Sequence, residues 1–245
     1  MRVRQHPALA VGLVGVALAA MSHPTAAAWI VGGFGEEPRR GLNPDRLLTL
    51  GIHHLSLSAV GLALVALLGL GLGILVTRAF AESVRGGVDG LAAAAQAVPP
   101  VVMVALALPI LGFGGPPTLL ALVAYGVMPV LRGTVSALES VSVEAREAAE
   151  ALGFTKLQIL LRVELPLAMP GLVDALRTAV VLAIATTAVG ALAGASTLGT
   201  PIVAGLQNQN VLPMLQGVLA TAALAFLCDA AMLALADLAP GGTAR

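Results

Sequence analysis

The sequence predicts an all-α, polytopic membrane protein of about six transmembrane helices, with a cytoplasmic helix-turn-helix between the fourth and fifth. Three observations predict it. Of the 245 residues 58% are hydrophobic and 11% are charged, less than half the roughly 25% charge usual in a soluble domain. The charges cluster and leave uncharged stretches over Leu47–Thr77, Gly90–Leu131 and Thr178–Cys228; at about 20 residues per span, the second and third can each hold two helices. With the N-terminus inside, only Arg39, Arg40 and Arg46 of the 13 basic residues fall outside, the asymmetry that orients membrane proteins. One domain then covers residues 1–245, with both termini cytoplasmic. A net charge of zero gives no footprint for nucleic acid.

The first span is expected over Ala8–Ile30. Arg2 and Arg4, the apolar run to Met21 and the small residues Ala26–Ala28 also describe a cleaved signal peptide; either way the next helix enters from outside. That second span runs over Leu55–Val76, where Gly61, Gly69, Gly71 and Gly73 suit close packing in lipid. The Gly69/Gly73 pair is expected to pack within one subunit. His53 and His54 just before it diverge on a helix and read as interfacial.

The third span, Leu91–Leu111, contains Pro99, Pro100 and Pro109 and is expected to be kinked or broken, which is tolerated where freed backbone groups face protein or water. It is therefore a candidate pore lining. Gly112–Pro117 turns the chain into a fourth span, Thr118–Leu131. The fifth, Arg177–Ala193, and the sixth, Met214–Leu238, are joined by a turn over Gly194–Pro213. An ionised group at the bilayer centre costs about 2.5–3.5 kcal/mol on insertion scales, so Asp229 in the sixth span is expected to pair with Arg177 or Arg132. Asp237, nearer the end, reads as wet. Cys228, the single cysteine, has no disulfide partner and reads as packing.

Between the fourth and fifth spans, residues 132–177 hold five of the 13 basic and six of the 13 acidic residues. Glu144–Leu152 is rich in Ala and Glu, strong helix formers, and Gly153 stands where a helix stop favours left-handed geometry. Thr155 and Gln158 have capping-box spacing for a second helix, Lys156–Glu164, which Pro166 is expected to stop. Small residues at Ala145, Ala148, Ala149 and Ala151 would let a partner approach closely, and Glu147 offers it a charge.

Glu147-Ala148-Ala149, three residues, Gly153, nine residues, Val163, one residue, then Leu165-Pro166 resembles the EAA loop of ABC importer permeases; Val163 stands where the family usually has Ile. The runs Glu164–Pro170, Ile184–Ala188 and Gly194–Gly199, with Val98-Pro99-Pro100 and Gly112-Phe113-Gly114, are similar to the osmoprotectant branch, whose substrates include glycine betaine, choline and carnitine. Ser196 and Thr197 replace two small residues expected there. The similarity covers roughly residues 55–238.

The resemblance implies a type I importer permease that contacts a separate ABC ATPase subunit through Glu147, Ala148, Ala149, Gly153, Val163, Leu165 and Pro166. It implies ATP and Mg on that subunit and no cofactor in this chain, an extracytoplasmic substrate-binding protein, a second permease copy or paralogue, and a bacterial inner membrane. Pro99, Pro100, Thr186, Thr187, Ser196 and Thr197 are candidate pathway or gate residues. The residues agree that this chain is not the ATPase: a Walker A loop needs Gly-Lys-Ser/Thr, and the only lysine, Lys156, follows Thr155.

One Trp, one Tyr and five Phe scattered along the chain form no readable cage for a quaternary ammonium group, so recognition is expected on the binding protein. Gly32–Arg46 and Ser196–Asn210 are the segments expected to receive it. The first rival is an ion-coupled secondary transporter, which would need intramembrane ionisable groups and an internal repeat. A membrane serine hydrolase using Ser196 lacks the Gly-x-Ser-x-Gly elbow.

Overall fold

A computed structural model describes residues 7–37, 40–78 and 96–238, with 86, 87, 90 and 94 between them. Every regular element among them is helical: α1 (Pro7–Met21), α2 (Pro24–Gly33), α3 (Pro44–Val76), α4 (Pro100–Leu111), α5 (Gly115–Glu139), α6 (Val143–Ala151), α7 (Lys156–Ala193), α8 (Thr200–Gln207) and α9 (Val211–Leu238). The helices α3, α5, α7 and α9 are each long and apolar enough to cross a membrane, and α1 and α2 reach that length only together, as a bent pair. Arg2, Arg4, Arg39, Arg85 and Arg245, most of residues 91–95 and the side chain of Asp237 lie outside the described residues.

Several boundaries differ from the sequence expectation for local reasons. The first span is not one helix: α1 and α2 meet at 81°, because Pro24 lacks the N–H needed to continue the ladder and Ser22 turns its hydroxyl onto Ala19 O at 2.7 Å. The second starts at Pro44, not Leu55, since Asn43 Oδ1 caps Arg46 N–H at 2.9 Å and Pro44 is preset for a first helical turn. The third is broken, as its prolines predict: Pro99 is the extended N-cap (φ −56°, ψ 142°) and only 12 residues follow in α4. At 1.5 Å per residue that is roughly 18 Å, short of a bilayer core. The expected outer turn before the last span contains α8, whose first turn holds Pro201.

The largest correction concerns Pro166. It does not stop a helix; α7 runs unbroken through Pro166 and Pro170. A π turn over Leu160–Glu164, in which Leu165 N–H reaches back to Leu160 O, widens the rod there and relieves the clash a proline ring makes with the preceding turn. Residues 132–139 likewise continue α5. The expected 46-residue loop therefore shrinks to α6 with its two turns and the first turns of α7.

Packing places α5 at the centre, with α3 on one side and α7 on the other, and fully buried side chains are far more frequent on α5 than on α9. α3 lies along α5 through small residues. A Cβ on Gly61, Gly69 or Gly73 would come within 2.6 Å of Leu122, Val130 or Thr134 respectively, whereas Gly71 faces open space. The Gly69/Gly73 pair is thus an intrasubunit seam, as expected, and Gly71 is no part of it. On the other side of α5, Gly133 and Gly171 admit Ala175 and Ala137, so α7 packs equally close. α9 lies on α7 and carries α1, with Gly15 of α1 against Leu227.

Candidate functional site

At one end of the bundle α5, α6 and the start of α7 form a hairpin. Ser142 caps α6 by accepting from Ala145 N–H, and Glu144 in the first turn suits the helix dipole. Leu152 N–H and Gly153 N–H close the last turn onto Ala148 O and Glu150 O, and Phe154 N–H returns to Ala149 O. This geometry requires Gly153 at φ +80°, a region in which a Cβ is penalised. Thr155 and Gln158 then form the complete capping box: Gln158 N–H donates to Thr155 Oγ1 at 3.3 Å and Thr155 N–H to Gln158 Oε1 at 2.8 Å.

The residues of the sequence motif divide by face. Ala149 is buried, Val163 and Leu165 are half-buried, and Glu147, Ala148, Gly153 and Pro166 are exposed. Beside the exposed set, Leu152 and Leu157 are 76% and 63% exposed, and Val143 and Leu161 are also open to solvent. Val143 and Leu152 at the two ends of acidic α6, with Leu157 and Leu161 on the first turns of α7, leave an apolar surface of the kind that meets another protein or a membrane.

Beneath the hairpin sits a feature the sequence reading missed. Glu164, 5% exposed, lies in the π turn between two arginines. Arg78 Nη1, just past the end of α3, donates to Glu164 Oε2 at 2.8 Å. Arg146 Nε of α6 lies 3.0 Å from Oε1, an ion-pair contact whose N–H is not aligned for a hydrogen bond. Arg146 Nη2 also donates to Leu138 O of α5 at 2.7 Å. One carboxylate thereby ties together the ends of α3, α5, α6 and α7. The only sequence signal was a Glu embedded in an apolar run; its partners are far away in the chain.

A second missed residue is His54. It is not interfacial but fully buried. Leu198 N–H donates to its Nδ1 at 3.2 Å, so that nitrogen is unprotonated and Nε2–H is left to donate to Ile184 O at 3.0 Å. One turn further along α3, Ser58 donates to Thr187 Oγ1 at 2.9 Å. These bonds pin the 194–199 segment and α7 to α3. Within that segment Thr197 is fully buried and its Oγ1 accepts Gly199 N–H, while Ser196 is exposed. Thr186 and Thr187 are buried; Pro99 is exposed and Pro100 half-buried.

Asp229 is paired with Arg177, the first of its two expected partners. Arg177 Nη2 lies 2.9 Å from Asp229 Oδ1, and Nε and Nη2 donate to Oδ1 and Oδ2 at 3.0 and 3.2 Å. This bidentate geometry explains a carboxylate in an apolar span. A last network holds the other end of the bundle. Buried Gln216 of α9 accepts Leu42 N–H and donates to Leu42 O, at 2.8 and 3.1 Å, and donates to Ser22 O at the α1–α2 bend.

Apolar rods, small-residue seams and a hairpin with exposed apolar side chains at one end describe a multi-pass membrane component. The chain matches the family model "Binding-protein-dependent transport system inner membrane component" over residues 69–238, and it belongs to that family. It is therefore an inner-membrane, multi-pass ABC importer permease, the membrane component and not the ATPase; a secondary transporter is set aside. It is 35% identical over 180 residues, 73% of this chain and 78% of the relative, to the glycine betaine/carnitine/choline transport system permease protein OpuCD of Bacillus subtilis (strain 168). It is 33% identical over 202 residues, 82% and 85%, to the osmoprotectant import permease protein OsmY of Salmonella typhimurium. Its fold is similar to a chain of the MetNI methionine ABC transporter in an inward-facing conformation, with a TM-score of 0.71 at 24% identity, covering 79% of this chain and 96% of that one.

Proposed function

We propose that this chain, as one permease domain over residues 1–245, translocates a small quaternary ammonium osmoprotectant of the glycine betaine or choline type into the cytoplasm. The observation that carries the substrate class is the identity to betaine, carnitine and choline permeases over nearly three quarters of the chain. In this reading an extracytoplasmic binding protein delivers the solute, and both termini lie in the cytoplasm. Glu147, Ala148, Ala149, Gly153, Val163, Leu165 and Pro166 couple the chain to an ATPase subunit, where ATP and Mg bind.

The exposed apolar side chains Leu152, Leu157 and Leu161 support that docking, and the Glu164 cluster supports transmission from hairpin to spans. A second copy or a paralogous permease completes the pathway. Pro99, Pro100, Thr186, Thr187, Ser196 and Thr197 line or gate it; buried Thr187 and Thr197 would do so by holding the 194–199 segment in place.

The test is purification of the tagged chain in mild detergent with its co-purifying proteins, followed by ATPase assay in proteoliposomes. Recovery of an ATPase subunit whose hydrolysis rises severalfold with a betaine- or choline-loaded binding protein is the expected result. Stimulation by an amino acid instead, with no response to quaternary ammonium solutes, would overturn the substrate class.

A further inference from the structure

From α2 we infer that the chain carries an interfacial anchor: a ten-residue helix lying in the headgroup boundary of the bilayer, with Trp29 as its contact to lipid. Three placements carry this. Because α2 meets α1 at 81°, its ten residues advance only about 2 Å along the α1 axis at 1.5 Å per residue. It therefore runs across the end of α1 and does not lengthen it.

Its depth follows from what it touches. Ala27 and Val31, one turn apart on a single face, are buried against Leu212 and Leu215 of α9. α9 is long and apolar enough to cross a membrane over Val211–Ala236; with the midpoint of that stretch set at the bilayer centre, these two leucines stand roughly 13–17 Å from it, about the half-thickness of a hydrocarbon core of about 30 Å. The polar boundary falls at the same level: Gln216 binds Leu42, and the exposed Asp45 and Arg46 follow at the start of α3.

The free face has the composition such a position favours. α2 carries no charge, its Trp29 is 81% exposed and Phe34, immediately after it, is 84% exposed, while Glu36 and Glu37 follow in the open. Trp is the side chain enriched at membrane–water interfaces, having a broad apolar ring and one N–H to donate. α1, on the other side of the bend, also exposes Leu13, Val16 and Met21. The occupant is thus the bilayer boundary itself, and the bend held by Gln216 sets the helix into it.

Trp29 is the only tryptophan in the chain, which makes a direct test possible. The importer complex containing the full chain is reconstituted into phosphatidylcholine–phosphatidylglycerol vesicles. The emission of Trp29 is obtained by subtracting the signal of a matched complex carrying Trp29→Phe, or Trp29→Tyr should the first fail to assemble. Lipids brominated near the ester end of the acyl chain should quench that emission more than lipids brominated near the methyl end, and aqueous iodide should quench it weakly. Strong iodide quenching without bromolipid quenching would overturn the anchor, as would stronger quenching from the methyl end, which would mean a helix crossing the core. Loss of bromolipid quenching on adding a solute-loaded binding protein would also overturn it, by making α2 a protein-docking surface.

Discussion

Glu164 shows how much a single residue can decide when its partners come from elsewhere in the chain. With its side chain nearly buried and Arg78 and Arg146 each about a third or less exposed, removing the one carboxylate leaves two cations facing each other. Breaking a buried pair costs about 3–5 kcal/mol, and the partial exposure of the arginines puts Glu164→Gln at the low end. Arg78→Ala should cost less, because Glu164 keeps Arg146. Thermal unfolding of the detergent-solubilised protein checks the order; equal losses would mean the three groups do not act as one unit. None of this was legible in the sequence, where residues 78, 146 and 164 are separate charges. Local chemistry was legible: the left-handed Gly153 and the Thr155–Gln158 box depend on neighbours within a few residues. Asp229 was legible in part, since a lone acid in an apolar run needs a cation, although only the fold chooses Arg177. His54 was not, because its two partners are backbone groups of Ile184 and Leu198 that any sequence could supply.

Among the elements, the long apolar rods were read correctly as helices and their edges were not. Hydrophobic runs report what lies in lipid, whereas Asn43-Pro44 and the α5 extension to Glu139 are set by caps and by packing beyond it. Proline was misjudged in both directions: Pro24 breaks a span expected to be whole, and Pro166 sits inside a rod it was expected to end. The α3–α5 seam gives a prediction with its own control. Gly69→Val would drive a side chain into Val130 and should lower stability by about 1–3 kcal/mol, the usual cost of overpacking. Gly71→Val, two residues away and facing open space, should unfold with wild-type behaviour. Thermal melts of the two variants in the same detergent compare them, and equal sensitivity would mean the seam does not govern packing.

For the whole molecule, burial falls off away from α5, and α9, which packs on α7 and carries α1, leaves only part of its surface to lipid. Cys228, half-buried on α9 and the only cysteine in the chain, reports on this. Maleimides react with the thiolate, which needs water to form, so Cys228 should be labelled slowly in intact membranes and readily after denaturation in detergent; rapid labelling by a charged, impermeant maleimide from either side would place Cys228 on an aqueous path. The two ends of the bundle are fixed by different means, Gln216 hydrogen bonds at one and the Glu164 ion cluster at the other, and α3 runs between them. The swollen turn at Leu160–Glu164 has a further consequence, best put in terms of insertions and deletions. A π turn is how a helix absorbs one surplus residue without twisting everything beyond it by roughly 100°. Here that surplus lets the hairpin keep its heading while the rod keeps its face to α5. Gaining or losing one residue is harmless in most surface connections. At this point it would screw the hairpin about a quarter turn around the rod and swing Glu164 away from both arginines, so that the angular setting between the two halves of the machine is stored in the count of residues in one turn.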